Sequence, residues 1–247
     1  MKFLFHLGRY ASLMYRVFAK PEKKRIYFRQ LILEIDRLGL NSLGIVIIIS
    51  VFMGAVITIQ TGLNLENPFI PLYLIGYGTR DSMILEFSST IVCLILAGKV
   101  GSNISSEIGT MRVREQIDAL EIMGVNSASY LIIPKIIAAV ISFPFLVIIS
   151  IFIGIVGGWL GGCVIANVLT TDAYIVGLHY YFVPYYITYS LIKTTIFAFI
   201  ITSVSSYYGY YADGGALGVG KASTKAVVYS SVLILVFNLI LTQLLLA

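Results

Sequence analysis

One short run of this chain has the spacing of a phosphate-binding loop. The segment from Gly215 to Lys221 reads Gly-Ala-Leu-Gly-Val-Gly-Lys and fits the pattern Gly-x-x-x-x-Gly-Lys, whose backbone amides and lysine bind nucleotide phosphates. The next residue is Ala222, where such a loop needs a Ser or Thr hydroxyl for magnesium. The run also lies between two apolar segments, whereas the loop must join a strand to a helix. We therefore reject nucleotide binding and predict that these glycines end one helix and allow a tight turn.

Other residue types that catalyse reactions or bind metals are scattered. The two histidines, His6 and His179, are isolated from one another, and the two cysteines, Cys93 and Cys163, lie in or beside apolar runs. Such cysteines imply neither a disulfide framework nor a metal site. We therefore assign no catalytic residue, metal or cofactor to this chain.

The elements that carry these residues are apolar enough to span a membrane. Hydrophobic residues make up 58% of the 247 residues, charged residues 12%, and the mean hydropathy is +0.93. An ordinary soluble domain is about a quarter charged, so this chain has too little charged surface for a water-soluble globule. The alternating pattern of a membrane β-barrel is absent. We predict an all-α integral membrane protein with one domain, 1–247, and five spans at about 43–61, 83–100, 136–159, 187–206 and 226–246, each near the roughly 20 residues that a spanning helix needs.

The basic residues predict the orientation of these spans. Nine of the 17 Lys and Arg residues precede the first span: Lys2, Arg9, Arg16, Lys20, Lys23, Lys24, Arg25, Arg29 and Arg37. Later loops alternate between basic-poor and basic-rich, and nothing basic follows the last span. The positive-inside rule then gives a cytoplasmic N-terminus and a periplasmic C-terminus. Because the charges sit at span ends, they favour membrane orientation over nucleic-acid binding.

Residues 1–42 are predicted to form helices at the cytoplasmic surface. Within the first twenty residues, apolar and basic side chains fall on different helical faces, with Phe3, Leu7, Met14 and Phe18 on one and Lys2, Arg9 and Arg16 on the other. The basic residues interrupt any signal-peptide core, so no cleavable signal is expected. This pattern is typical of an amphipathic helix at an anionic lipid surface, and packing of the same helix against the bundle is compatible with it.

The third apolar run is longer than a membrane requires, and no polar turn divides it. We predict one tilted span whose end leans into the outer interface. Gly154, Gly158 and Gly162 recur there at four-residue spacing, which lets helix backbones approach closely in lipid. A subunit or gate interface and plain packing within one bundle explain this spacing equally well.

The most polar segment between predicted spans runs from Ala97 to Gly124 and must leave the bilayer. Thr110 is predicted to cap a helix that Gly124 ends. Val113, Ile117 and Leu120 would line one face, and Arg114, Glu115, Asp118 and Glu121 the other, with an ion pair between Arg114 and Asp118. A short acidic helix of this kind suits contact with a motor subunit, and a solvated loop helix has the same shape.

Three segments resemble, in order, the MlaE-type (YrbE-type) permeases, the membrane subunits of ABC transporters that work with MCE-domain proteins. They are SLGIVIIISVFMGAVITIQ (42–60), AGKVGSNISSEIGTMRVREQIDALEIMGV (97–125) and GYYADGGALGVGKASTKAVVYSSVLILVFNLILTQLLL (209–246). Together they cover most of the chain from Ser42 onward, which makes the resemblance specific. The chain departs from the family pattern at Gly44, Leu85, Ser88, Ser89 and Asn238, where the family often has Pro, Arg, Gly, Pro and Asp.

The resemblance implies a homodimer that encloses a lipid cavity open toward the periplasm. A separate cytoplasmic ABC ATPase dimer, which binds ATP and magnesium, would dock on the segment 107–124. The residues expected at this coupling contact are Glu107, Gly109, Thr110, Met111, Arg114, Glu115, Gln116, Asp118, Glu121 and Gly124. A periplasmic MCE-domain ring would continue the lipid path, and a small STAS-type subunit is a further candidate partner. In relatives the cargo is phospholipid moving between the inner and outer membranes.

Four polar residues in or beside spans are candidates to line that cavity: Gln60, Glu86, Lys193 and Asn238. Charge within a span is rare and often functional, although Lys193 has snorkelling as an alternative and Asn238 an interhelical hydrogen bond. Two other function classes remain as alternatives. A secondary transporter or channel would show internal repeats or broken helices, and a membrane-embedded lipid-modifying enzyme would show clustered His, Asp or Ser.

Overall fold

The computed structural model describes residues 2–19, 24–65 and 71–246, and over these ranges the chain is helical without a strand. The α-helices are α1 (Lys2–Ala19), α2 (Lys24–Ile35), α3 (Asn41–Asn64), α4 (Tyr73–Ser82), α5 (Val92–Leu96), α6 (Ser102–Val113), α7 (Gln116–Ile122), α8 (Ser127–Trp159), α9 (Thr171–His179), α10 (Tyr185–Tyr210) and α11 (Gly215–Leu246). Four further segments are π-helical: Asp36–Leu40, Met83–Ile91, Ala97–Gly101 and Leu160–Ile165. The predicted all-α class is confirmed.

Within the described residues, five continuous helical stretches are long and apolar enough to cross a membrane, as predicted. They are Tyr27–Asn64, Tyr73–Val113, Ser127–Ile165, Tyr185–Tyr210 and Gly215–Leu246. The third apolar run is therefore one helical stretch and not a hairpin. Every stretch is longer than its predicted span, because a helix satisfies its own backbone hydrogen bonds and can continue past the apolar run that defines the bilayer segment.

Two helical stretches extend well past the predicted spans. The stretch that contains the second predicted span, 83–100, continues as α6 to Val113. The helix that contains the last predicted span, 226–246, is α11, which begins at Gly215 and includes Lys221. The turn before α11 uses Gly214 and Gly215, whose φ angles of +90° and +69° lie in the left-handed region that favours glycine. The expected glycine turn is therefore present, although only at the start of the Gly215–Gly220 run.

The chain forms two compact units. One comprises Met1–Ser42, Leu94–Phe143 and Thr195–Thr242, and we call it the first unit. In it, α1 packs against α10, with Leu13 and Val17 fully buried. Tyr10 donates a hydrogen bond to Ser203 (2.9 Å), and the His6 Nδ1 atom lies 2.7 Å from the Tyr207 hydroxyl.

Leu7 and Phe18, on the predicted apolar face of α1, are exposed, while Leu13 and Val17 are covered by the protein. Packing of α1 against the bundle is therefore present, and its placement at the lipid interface stays a prediction. The side chains of Lys2 and Phe3, and the C-terminal Ala247, lie outside the described residues.

The second unit comprises Leu43–Cys93, Pro144–Thr194 and Gln243–Ala247. Its helices α3 and α8 make a close backbone contact, because a Cβ atom added at Gly54 would lie 1.8 Å from the carbonyl oxygen of Gly154. Helices α4 and α9 also make a close contact, since a Cβ atom at Gly76 would lie 2.6 Å from the Tyr174 carbonyl oxygen. Small residues at helix contacts are the usual means of tight packing in lipid.

Arg80 of α4 binds the C-terminal end of α9. Its guanidinium is buried and donates hydrogen bonds to the carbonyl oxygens of Leu178 (2.7 Å) and Tyr180 (2.9 Å), which lie at the C-terminal end of α9. It also forms an ion pair with Asp81 at 2.7 Å. The last carbonyl oxygens of a helix have no hydrogen-bond partner within that helix, and at the end of α9 the Arg80 guanidinium is the donor to them.

Candidate functional site

The segment predicted to contact a motor is a helix, a turn and a second short helix. Helix α6 ends at Val113, and Glu115 adopts a left-handed conformation with φ of +58° before α7 begins at Gln116. Thr110 lies inside α6 and donates a hydrogen bond to the Ser106 carbonyl oxygen (2.7 Å). The prediction that Thr110 caps a single helix is therefore wrong. Neither glycine nor proline marks the break, so the residues around it gave no turn signal.

The turn also changes the ion pair that the sequence suggested. Arg114 and Asp118 have the four-residue spacing of one helical face, but the left-handed Glu115 lies between them. Asp118 instead accepts a hydrogen bond from Arg112 at 2.6 Å. Arg112 therefore joins the last turn of α6 to the first turn of α7. Both side chains are partly exposed, so the pair contributes little to stability.

The end of α7 is as predicted. Gly124 has φ of +78°, its amide donates to the Glu121 carbonyl oxygen (3.0 Å), and the Val125 amide donates to the Leu120 carbonyl oxygen (3.1 Å). These two bonds are the pattern by which a left-handed glycine closes a helix. Helix α7 is therefore a short rod between two backbone turns.

The apolar side chains of this segment do not form the single face that was predicted. Ile117 is buried, whereas Val113 is exposed. The most exposed apolar residues are Ile122 at 88% and Met123 at 68%, both at the end of α7. In a polar segment, adjacent exposed apolar side chains of this size are typical of a protein contact.

Glu107 and Gly109, which were predicted to contact the motor, instead contact other residues of this chain. Glu107 accepts from Lys135 (2.7 Å) and from Arg37 (3.4 Å), and Lys135 also donates to Glu34 at 2.7 Å. Lys135 is buried, so its charge is neutralised by two carboxylates. Gly109 is packed as well, since an added Cβ would lie 3.3 Å from the Ala212 Cβ.

The remaining predicted contact residues differ in exposure. Met111 is half-buried, and Arg114, Glu115 and Gln116 are exposed. Glu121, expected to be on the outer face, has a side chain turned toward neighbouring helices: its Oε1 atom accepts from Ser127 (2.9 Å) and Tyr210 (2.9 Å). The sequence could not separate these groups, because the backbone break at Glu115 changes which positions share a face.

Two of the four cavity candidates form an ion pair. The Lys193 Nζ atom donates to Glu86 Oε1 at 2.9 Å, to the Tyr189 hydroxyl at 3.0 Å and to the Leu85 carbonyl oxygen at 3.2 Å. Thr90 donates to the other carboxylate oxygen at 3.0 Å. Lys193 is 0% exposed, which excludes snorkelling, while the Glu86 side chain is 43% exposed.

This pairing was missed although its signal was present. The sequence showed one anion and one cation in different spans, and charges within a membrane usually pair. Leu85 replaces the arginine of the family pattern, and Lys193 supplies the cation that Glu86 needs. The pair is held where Met83–Ile91 is π-helical, a helix type often found at functional positions.

The other two candidates, Gln60 and Asn238, lie in different units. Gln60 is exposed near the end of α3, in the same unit as Glu86. Asn238 is half-buried in α11, belongs to the first unit, and accepts a hydrogen bond from Thr242 through its carbonyl oxygen (2.8 Å).

The three predicted packing glycines lie against neighbours in their own unit. An added Cβ would lie 2.0 Å from Met83 Cε at Gly154, 2.6 Å from Thr58 Oγ1 at Gly158 and 2.4 Å from Thr58 Cγ2 at Gly162. These contacts are packing within one subunit. The glycines between them are equally close, and Gly157 would place a Cβ 2.4 Å from the Val51 carbonyl oxygen.

Comparison with known proteins agrees with this architecture. The family model described as Permease MlaE matches residues 31–244. A probable ABC transporter permease protein of Rickettsia prowazekii (strain Madrid E) is 37% identical over 99% of this chain and 93% of its own length. The intermembrane phospholipid transport system permease protein MlaE of Haemophilus influenzae is 31% identical over 96% of this chain and 90% of its own length.

A plant protein is also similar. The protein TRIGALACTOSYLDIACYLGLYCEROL 1, chloroplastic, of Arabidopsis thaliana is 31% identical over 90% of this chain and 63% of its own length. The similarity in all three spans nearly the whole of this chain, and the family match begins in α2 and ends in α11. This chain is therefore a multi-pass inner-membrane protein and a transport subunit, and it belongs to the MlaE permease family.

Proposed function

We propose that this chain is the permease of an ABC transporter that moves phospholipid between the inner and outer membranes, driven by a separate ATPase. The family and the name of the Haemophilus influenzae relative support the phospholipid cargo. The observation that carries the motor contact is the exposed apolar end of α7, where Ile122 and Met123 project from an otherwise polar segment.

The ATPase docks on the outer side of the α6–α7 turn. Val113, Glu115, Gln116, Ile122 and Met123 are all exposed there. The apolar pair supplies contact area, and the polar residues set register and partner choice, as charged groups at interfaces generally do. ATP and magnesium bind to the ATPase. In the contact with the ATPase, this chain supplies the docking surface.

The lipid headgroup contacts the Glu86–Lys193 pair. Lys193 is buried behind Glu86, whose carboxylate is the part of the pair that remains accessible. A cationic or hydrogen-bonding part of the headgroup would bind the Glu86 carboxylate, while Lys193 holds that carboxylate in place. Gln60 is an additional polar position of the same unit, and Asn238 stays a cavity candidate from the sequence alone.

Two copies of the chain enclose the cavity, with the N-terminus in the cytoplasm and the C-terminus in the periplasm. Helix α11 suits an outer or intersubunit position, because only 17% of its most apolar stretch is buried, against 61% of that of α10. The exposed apolar side of α1, with Leu7 and Phe18, rests in the cytoplasmic membrane interface. An MCE-domain ring on the periplasmic side and a small STAS-type subunit complete the assembly.

The test combines co-purification with lipid analysis. The tagged chain should retain an ABC ATPase, and mass spectrometry of the purified complex should find phospholipid. The double variant Ile122→Lys/Met123→Lys should lose the ATPase, since two charges would be placed in an apolar contact. The control is Thr224→Lys, which places a lysine at an exposed position of α11, away from α7.

Each result has a distinct meaning. Loss of the ATPase in the α7 variant but not in the control supports the docking surface. Full retention in both variants, with normal ATP hydrolysis, would show that the motor docks elsewhere. A complex that carries no phospholipid, prepared without delipidating detergent, would contradict the proposed cargo.

A further inference from the structure

Glu121 connects α7 to three other helices through one oxygen atom. Its Oε1 atom accepts hydrogen bonds from Arg16 of α1 (3.0 Å), Ser127 at the start of α8 (2.9 Å) and Tyr210 at the end of α10 (2.9 Å). The Ser127 and Tyr210 hydroxyls also lie 2.9 Å from each other. We call Arg16, Ser127 and Tyr210 the Glu121 socket. All four residues belong to the first unit.

The three contacts of the socket differ in strength. Arg16 and Glu121 are both substantially exposed, and exposed ion pairs contribute little. Ser127 and Tyr210 are buried, and hydroxyls that donate to an ionised carboxylate form hydrogen bonds about twice as strong as neutral ones. The two hydroxyls, rather than the arginine, are therefore the main attachment of α7 to the ends of α8 and α10.

The socket also keeps Glu121 ionised. Burial opposes its charge, but the hydrogen bonds from Ser127, Tyr210 and Arg16, together with the positive charge of Arg16, outweigh burial and hold the pKa of Glu121 below its ordinary value. The attachment is therefore present at neutral pH. It would be lost only in acid, as the pH falls through this lowered pKa.

The position of Glu121 beside the exposed end of α7 gives the socket a role. Helix α7 is a short rod between the left-handed Glu115 and Gly124, so it can move as a body about its two turns. Ile122 and Met123 face outward, and the preceding residue is fixed to two of the membrane-crossing helices. The hydrogen bonds of Glu121 therefore give a displacement of the exposed end a direct path to α8 and α10, beside the short chain connection from α7 to α8.

We infer that Glu121 is a positioning residue that transmits movement of α7 to the ends of α8 and α10, and that it does not contact the ATPase. This inference rests on the proposed function, since it requires a motor that moves α7. It divides the segment into neighbouring residues with different tasks: Ile122 and Met123 bind the partner, and Glu121 passes the displacement inward.

The test separates coupling from docking. In the purified complex in phospholipid vesicles, the quantities measured are the amount of ATPase retained, the rate of ATP hydrolysis and the lipid moved per ATP hydrolysed. Tyr210→Phe removes one hydroxyl of the socket and keeps the ring, and Glu121→Gln removes the charge and keeps the length. Tyr211→Phe is the matched control, because it removes a hydroxyl from the adjacent tyrosine outside the socket.

Both socket variants should retain the ATPase and hydrolyse ATP, and the lipid moved per ATP should fall about fivefold or more, the lower end of usual coupling factors. Tyr211→Phe should match the unaltered chain. Ser127→Ala, which removes the other buried hydroxyl, should lower the same ratio and serves as the second variant if Tyr210→Phe accumulates poorly.

Two results would overturn the inference. One is loss of the ATPase from the Glu121→Gln complex, which would place Glu121 in the docking surface. The other is an unchanged ratio of lipid to ATP in folded Glu121→Gln and Ser127→Ala complexes, which would leave Glu121 with a structural role only. Failure of the proposed function is distinguishable, because the unaltered chain itself would then lack an ATPase or move no lipid.

Discussion

The ion pair between Glu86 and Lys193 is asymmetric, and this asymmetry determines how the protein responds to losing either partner. Lys193 is fully buried, whereas nearly half of the Glu86 side chain is exposed. Removing one partner of a buried pair is costly because it leaves the other charge uncompensated. A carboxylate left alone here can still be solvated on its exposed side, whereas an ammonium group left alone cannot.

We therefore expect Glu86→Met to destabilise the chain more than Lys193→Met. The first change should approach the cost of about 3 kcal/mol that is usual for an orphaned buried charge, and the second should cost less. Thermal unfolding of the purified variants in detergent measures both. Replacing both residues in one chain should recover much of the loss, since neither charge then remains. The reverse order of the single variants would contradict the described burial of Lys193.

At the same scale, the sequence identified the charged residues but not their partners. Glu86, Lys193 and the polar residues of 107–124 were all found from their types and positions. The partners are 107 positions apart in the pair Lys193–Glu86, 89 in Tyr210–Glu121 and 28 in Lys135–Glu107. No local spacing rule reaches such distances, so only the three-dimensional structure could supply them.

At the scale of the element, the glycines of α8 differ in how well they would tolerate a larger residue, because some lie against backbone and others against a side chain. At Gly157 the nearest atoms to an added Cβ belong to the backbone of Val51, at 2.4 Å for its carbonyl oxygen. At Gly154 the nearest atom is the terminal methyl of Met83, at 2.0 Å. A methionine side chain can move aside, because it is unbranched and flexible, whereas the backbone of a packed helix cannot.

Gly157→Ala should therefore destabilise the protein more than Gly154→Ala, within the usual range of about 1–3 kcal/mol for overpacking. Gly220→Ala is the matched control, because nothing lies within 4 Å of its added Cβ and alanine favours a helix interior by about 1 kcal/mol. Thermal unfolding of the three variants in detergent gives the order. Equal tolerance at Gly157 and Gly220 would contradict the close contact of α3 with α8.

The elements themselves were predictable to different degrees. The five apolar runs predicted five membrane-crossing helices, because hydropathy over about 20 residues reports the bilayer directly. The π-helical segments and the left-handed Glu115 were not predictable, since they follow from packing and not from glycine or proline at those positions. The socket around Glu121 depends on that backbone break, and this is why the sequence placed Glu121 on the outer face.

At the scale of the whole molecule, the division into two units could not be read from hydropathy. Several membrane-crossing helices contribute to both units, with α8 divided at Phe143 and α10 at Thr194. Lipid chains are as apolar as the side chains they contact, so helix association in a membrane depends on packing and hydrogen bonds that a hydropathy profile does not contain. The number of membrane crossings, in contrast, follows from the apolar runs, and the basic residues of each loop predict the side of the membrane on which it lies.

The orientation of the chain is therefore its most direct whole-molecule prediction. Ile122 and Leu217 should lie in the cytoplasm and Tyr181 in the periplasm, because one crossing helix, α8 or α10, separates Tyr181 from each of the others and the basic residues cluster on the cytoplasmic side. All three side chains are well exposed, at 88%, 73% and 75%. Single cysteines at these positions, in a chain without Cys93 and Cys163 that is produced without the ATPase, should react with a membrane-impermeant maleimide in intact spheroplasts only at position 181. Disrupting the membrane should make the other two react, which controls for their accessibility. Labelling of all three from one side would contradict the assigned crossings, and labelling of 122 and 217 alone in intact spheroplasts would reverse the orientation.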